Sequence, residues 1–487
     1  MKNFKSLILG SAAGMLAVAG AQAADLPVKA KPAEYVKVCS AYGAGFYYIP
    51  GTDICLRIGG YLYSQFQVND RNNGLEATTG ARNRLDNWTD WRIRQTNILD
   101  ARTNTEYGTL RSYFSGGFQW DTSANGFPNN QNSSVTCANW LWYYNAAFIQ
   151  FAGFTFGIAN SFFDTDNSTF MNSPPGYSLA KSSPMIAYTA QLGSGISATV
   201  SVEDSTLRRN AIQVGNLSAG TAAAPVTLTL NSGQTFGLGG LNTGYAGQYM
   251  PDIVANLRVD QAWGNAQISG LVHQVMTSVQ TGSIGQIQGA GEKYGYAFLG
   301  GLTFKVPQIG AGDTLFLQGV WAKGCTACTD ATGSNYNMTG RTLSYRLNGN
   351  NFPNLTLMDA YVPLAGAAGA LTGAGPLNLT KSYSLDIEYR HFWTANLRST
   401  IGWTRYRQDS PASANVAGFP DGTFDTAAAN LIWSPVKNLD LGTEVYWAHL
   451  KTNNAAGGGN AATNNGVGTV NGSESWWGGI FRATRYW

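Results

Sequence analysis

Charge is what this chain most lacks. Only 12% of its 487 residues are Asp, Glu, Lys or Arg, about half of the ~25% usual in soluble domains. A soluble protein with so few charges would be poorly solvated, so the composition points to a membrane protein. Long apolar runs are missing too. Beyond residue 23 no segment approaches the ~18 consecutive apolar residues of a spanning helix. In lipid only helices and closed barrels satisfy their own backbone polar groups, so without helices an all-β transmembrane antiparallel β-barrel remains. The length would allow two or three soluble domains, but no break in composition separates them.

Catalytic residues are scarce as well. The three histidines, His273, His391 and His449, lie far apart, and there is no HExxH, G-x-S-x-G, G-x-G-x-x-G or Walker loop. A barrel esterase would need a Ser and a His converging on the rim. His273, directed inward by its parity, is the one candidate, and its plainer role is a polar lining residue. The chain is therefore read as a non-enzyme without cofactor or metal, and with no nucleic-acid partner.

Lys2 and Lys5 precede the apolar run from Leu7 to Val18, and Ala21-Gln22-Ala23 offers a cleavage site, so residues 1–23 read as a signal peptide. In an exported chain disulfides are allowed. Of five cysteines, Cys39 and Cys55 bracket YGAGFYYIPGTDI and are expected to pair. Cys325 and Cys328 form C-x-x-C in loop-like sequence, without the strand-to-helix context of a redox site, and Cys137 is left over. Residues 24–55 read as an extended periplasmic segment carrying that disulfide, and 56–487 as the barrel.

What is present is alternation. In Trp91 to Trp120, Arg92, Arg94, Thr96, Asp100 and Arg102 share one strand face, and Trp91, Ile93, Leu99 and Ala101 the other; Asn97 and Ile98 break the pattern. After the turn at 104–108, Arg111, Tyr113, Ser115 and Gln119 oppose Leu110, Phe114, Phe118 and Trp120, as in a two-faced hairpin. The same dyad recurs in the segments around Leu62, Val200, Ile268, Ile387 and Val445. Each such segment is a weak signal of a membrane barrel, and their recurrence is a strong one. Short connections near 104–108, 152–153, 193–195, 263–264, 307–312, 394–396 and 436–438 alternate with eight long ones, which implies about 16 strands. An extra hairpin of Ala211 to Val214 with Val226 to Leu230 would either project from the fourth long connection or raise the count to about 18. The closing SWWGGIFRATRYW places Trp477, Phe481 and Trp487 on one face, as an interface girdle requires.

EYVKVCSAYGAGFYYIPGTDICLRIGGY (34–61), TNTEYGTLRSY (103–113), AFIQFAGFTFG (147–157) and SFFD (161–164) resemble the general porins of alphaproteobacterial outer membranes, of the rhizobial and Brucella type. The first stretch is long and unusual; the others support it. The resemblance implies an outer-membrane homotrimer of barrels in which the third long loop folds inward and narrows the pore. Trp487 stands where Phe is commoner, and the fourth and sixth loops are long.

On that footing Arg92, Arg94, Asp100, Arg102 and Arg111 become candidate constriction residues, opposed by Asp164 and Asp166 of the inward loop. A water-filled lumen must be polar in any case. Four arginines on two adjacent strands with only Asp100 and Glu106 among them nevertheless carry a repulsion that acids or permeating ions must offset. The function this implies is passive diffusion of small polar solutes and ions. Two rivals are a substrate-specific channel, with Tyr61, Tyr63, Tyr113 and Tyr446 as inward candidates for a track, and a structural or adhesin barrel with long Gly/Asn/Thr-rich loops.

Overall fold

The computed structural model describes residues 37–69, 89–121, 139–165, 169–171, 182–214, 227–229, 235–237, 245–277, 281–282, 286–287, 291–329, 342–344, 354–367, 370–416, 419–454 and 472–487. Residues 1–23, expected to be a signal peptide, and Cys137 and Asp166 lie outside the described residues. The chain forms two compact units, residues 1–56 and 57–487.

In the first unit Tyr47–Tyr48 pairs antiparallel with Cys55 and Leu56. Cys39 and Cys55 are disulfide-bonded, with Cα atoms 5.9 Å apart, as their spacing in an exported chain led us to expect. The bond is buried with Phe46, and Tyr42 and Tyr48 pack against it.

The second unit is a barrel of sixteen antiparallel strands. They are β1 (Cys55–Asn69), β2 (Thr89–Thr105), β3 (Gly108–Asp121), β4 (Asn139–Phe151), β5 (Phe154–Asn160), β6 (Ser182–Gly193), β7 (Ile196–Glu203) and β8 (Asp252–Gln261). Then follow β9 (Gly264–Met276), β10 (Glu292–Lys305), β11 (Thr314–Lys323), β12 (Lys381–Thr394), β13 (Leu397–Asp409), β14 (Asp421–Val436), β15 (Leu439–Asn453) and β16 (Gly472–Tyr486). Each pairs with the next, and β16 closes on β1 from Tyr61↔Tyr486 to Asn69↔Gly478. Closure removes the sheet edge that lipid could not solvate. At the seam Gly60 and Trp487 exchange backbone hydrogen bonds of 3.2 and 3.1 Å. A Cβ on Gly60 would strike the Thr96 carbonyl and the Trp487 ring, so only glycine fits there.

The dyad pattern sorts side chains as expected. Ile268 (63% exposed), Val445 (58%) and Phe298 (58%) point out, while Asp100 (0%), Glu388 (2%) and Glu444 (2%) point in. The two residues that broke the pattern keep the parity of their strand. Asn97 faces outward and is bonded to Gln95 (Gln95 Nε2 to Asn97 Oδ1, 2.6 Å), and Ile98 shares the parity of the arginines. Short turns join the strands at one end, including Ala152-Gly153, where both residues are left-handed (φ 49° and 85°) and so match the twist of the hairpin.

The buried core lies inside the barrel, where long connections dock on inward side chains. Phe163 packs on Leu271, Leu299 and Val320, and Leu355 and Leu357 pack on Tyr406, Phe424 and Tyr446. The extra hairpin anticipated in the fourth connection does not form. Ala211–Val214 pairs in parallel with Met358–Val362 of the sixth connection, and Thr227–Thr229 pairs with Thr235–Gly237. Ala211 and Ile212 are wholly buried, and Ile212 joins Val275, Ala360 and Val362 in one cluster, so the segment is fixed by a partner distant in sequence. Cys325 and Cys328 are also bonded, in a buried single-turn helix of that sixth connection.

Candidate functional site

The described part of the third long connection, 161–165 and 169–171, enters the barrel and lies along its wall. Its backbone is received by wall side chains in strand order. Glu203 of β7 accepts from Phe162 N (3.2 Å), Asn256 of β8 donates to Phe162 O (2.7 Å), and Gln267 of β9 donates to Asp164 O (3.2 Å). Thr165 bonds Gln318 of β11. Glu388 of β12 accepts from Thr169 N (3.0 Å), Asn430 of β14 donates to Thr169 O (3.2 Å), Glu444 of β15 accepts from Met171 N (2.7 Å), and Arg482 of β16 donates to Met171 O (2.6 Å). Wall glycines make the close approach possible. A Cβ on Gly402 would stand 2.8 Å from the Phe170 ring, one on Gly301 2.5 Å from Thr165, and one on Gly442 against Met171. The described part of the loop therefore contacts β7 to β16, and at its root Phe162 also packs on Ala159 of β5 and on Met185 and Ala187 of β6.

Its root is fixed by a buried cation that sequence reasoning did not single out. Arg208 donates to Glu203 (2.7 Å), Asp252 (3.2 Å) and Ser161. Burial works against its charge, but Glu203, Asp252 and Asp164 outweigh that and hold its pKa above the ordinary guanidinium value. Asp164, one of the two acids expected on the loop, is thus within electrostatic reach of this anchor.

His273 does point inward, but it does not line water. It is fully buried, its Nδ1 2.7 Å from Asp252 and its Nε2 3.2 Å from the Tyr245 hydroxyl, which donates to Asp359 at 2.7 Å. The fourth and sixth connections cover it, through the packing that displaced the anticipated hairpin. Among the described residues no group of three or more His, Cys, Asp or Glu could hold a metal ion.

Strands β1 to β3 carry the arginines. Arg102 and Arg111 are cross-strand partners on β2 and β3, and both grip Asp100: Arg102 at 3.0 and 2.8 Å, Arg111 at 2.9 and 3.1 Å. Arg57 stands 3.6 Å from the same carboxylate. One buried carboxylate therefore holds three guanidiniums, which is how the hairpin tolerates its like charges. Arg111 also donates to Gln150 (3.0 Å) and lies 4.8 Å from the Tyr113 ring centroid. Arg94 donates to Gln119 (2.6 Å) and lies over Tyr63 at 5.6 Å. Arg482 lies over the same ring at 4.6 Å, and both Arg92 and Arg94 act on it electrostatically. The hairpin arginines are thus brought together, joined by Arg57 and Arg482, whose inward parity was the available signal. The tyrosines form no continuous track. Tyr61 stacks on Tyr63, Tyr113 on Phe148, and Tyr446 is buried under Leu355.

Residues 25–480 match the family described as Porin subfamily. The chain belongs to the porin subfamily. It is 33% identical over 282 residues to porin Omp2b of Brucella melitensis, covering 55% of this chain and 65% of that relative, and equally to Omp2b of Brucella abortus. The match spans somewhat less than two thirds of the length of these curated relatives. The outer membrane channel DcaP of Acinetobacter baumannii shares the fold, with a TM-score of 0.55 at 14% identity, over 90% of this chain and 99% of that one. This porin is accordingly an outer-membrane β-barrel.

Proposed function

We propose that this porin is a water-filled passive diffusion channel for small hydrophilic solutes and ions, acting as a channel and not as an enzyme. One observation carries the reading: a sixteen-strand barrel with an inward loop anchored along β7 to β16 and a wall of inward arginines on β1 to β3. Eight strands would leave an interior filled by side chains, whereas sixteen leave an aqueous passage. Arg57, Arg92, Arg94, Arg102 and Arg111, balanced in part by Asp100, set a field across the narrowest part, with Asp164 and Asp166 contributed by the loop. Polar solutes orient in that field, and apolar ones are disfavoured because they cannot replace the ordered water.

Residues 1–23 are removed on export, 24–55 form the disulfide-bearing segment, and the barrel follows. The chain assembles as a homotrimer. The Gln95–Asn97 pair on the outward face of β2 supports this, since bonded amides suit a subunit contact better than lipid. Stepwise conductance in planar bilayers tests the channel, and a correctly folded protein that never conducts would overturn it.

A further inference from the structure

Beneath the inward loop, towards the short-turn end of the barrel, a cavity of about 240 Å³ opens between Thr169–Met171 and the wall strands β12 to β16. It has room for a small oxyanion with water around it. Three guanidiniums line it: Arg390, Arg398 and Arg482. Asp440 is the one carboxylate in the lining, and it is engaged by Arg398 (2.6 Å) and by the Ser434 hydroxyl (2.6 Å). Glu388 and Glu444, on neighbouring inward positions, do not line the cavity and accept the N–H groups of Thr169 and Met171.

Arg390 is the telling residue. Among the described residues it makes no ion pair, and its buried Nε has no hydrogen-bond partner. The register sets it opposite Thr400 and diagonal to Arg398, whose own guanidinium takes the Asp440 carboxylate, so Arg390 has a like charge beside it and only the electrostatic influence of Glu388, whose Oε2 already accepts from Thr169, against it. A charged donor held out of water without an acceptor is costly, and its cost falls when an anion enters beside it. Thr484, Tyr486, Ile432 and Gly442 complete the lining.

We propose that this cavity is a binding site for a small oxyanion, a phosphate or a carboxylate, held by Arg390 and Arg482 with Arg398 beside them. It rests on the channel reading only for its route of entry. An anion lodged there lies on the β12 to β16 side of the arginine wall and shares Arg482 with it, and it adds a saturable step to a passage otherwise governed by size and field.

The test is calorimetric titration of the folded, detergent-solubilised protein at constant ionic strength, with inorganic phosphate in one arm and acetate in the other. Saturable binding at one site per chain in either arm supports the site, and the arm that binds names the class. Arg390→Gln should weaken that binding about tenfold or more, the scale of losing a charge-assisted contact. Thr484→Asp, which places a carboxylate in the cavity, should abolish it, and serves if Arg390→Gln fails to fold. No saturable heat in either arm, or a folded variant of either kind that titrates like the parent, overturns the proposal. KCl conductance is measured in parallel. Its absence would sink the channel reading while leaving the titration to decide the site.

Discussion

Replacing Arg92 and Arg94 together by Ser is the sharpest test of the arginine wall. Arg57, Arg102 and Arg111 meet Asp100, while Arg94 and Arg92 lie further along β2 and act on Arg482, so the double variant removes two positive charges from this wall and leaves the Asp100 cluster in place. At ~8 Å each charge acts on a permeating ion by about 0.5 kcal/mol in bulk-like water and about 2 kcal/mol at an effective dielectric of 20. That is about a two- to thirtyfold change in ion occupancy per charge. The reversal potential across a KCl gradient should therefore move towards cation preference. The shift should shrink with salt, because the Debye length falls from ~10 Å at 0.1 M to ~3 Å at 1 M. Asp100→Asn should move selectivity the other way. It should also destabilise the β2–β3 hairpin by about 1–3 kcal/mol, less than a fully buried pair costs because Arg102 and Arg111 are about a quarter exposed. Unchanged selectivity at low salt in both variants would mean that the field is set elsewhere.

Three further outcomes are expected. Gly442→Ala should push the Met171 side chain off the wall towards the channel axis and lower single-channel conductance without loss of β circular dichroism; parental conductance would show that the loop is not held by this contact. The turn at 306–313 should loosen in acid. Burial raises the Asp313 carboxyl, but donors from Tyr389, His391 and Phe392 N outweigh it and hold its pKa below 3.8. A depressed carboxylate stabilises the fold above its unfolded value and loses that contribution as pH falls through the folded one, so amide exchange at Val306 should quicken below pH 3.8 and lose this dependence in Asp313→Asn. Peptide mapping of a non-reduced digest should find Cys39 joined to Cys55; reduction of a closed loop of about 15 residues should cost about 3 kcal/mol, and a Cys39–Cys137 peptide would refute the pairing.

The strand alternation was legible because a barrel wall is a local pattern. Lipid on one side and water or docked loops on the other force a period of two, and Ile268 against Gln267 or Val445 against Glu444 needs no distant information. Turn and loop lengths follow in the same way, so about sixteen strands and the inward parity of Arg92, Arg94, Arg102 and Arg111 could be read from residues alone, while the choice between sixteen and eighteen waited on where Ala211–Val214 pairs. Asp100 was visible as a neighbour of those arginines, but its grip on both Arg102 and Arg111 depends on the β2–β3 register. What alternation could not show is where the loops go. Leu271, Leu299, Val320 and Leu450 sit at inward positions where polar residues were expected, a sign that something dry covers them, but not of what. Phe163, Leu355 and the parallel pairing of Ala211–Val214 with Met358–Val362 come from residues many strands away. The cavity roofed by Thr169–Met171 likewise depends on Arg390, Arg398 and Arg482 meeting across five strands. Such contacts are set by the closure of the whole cylinder and by side chains filling its interior, and no local period encodes them.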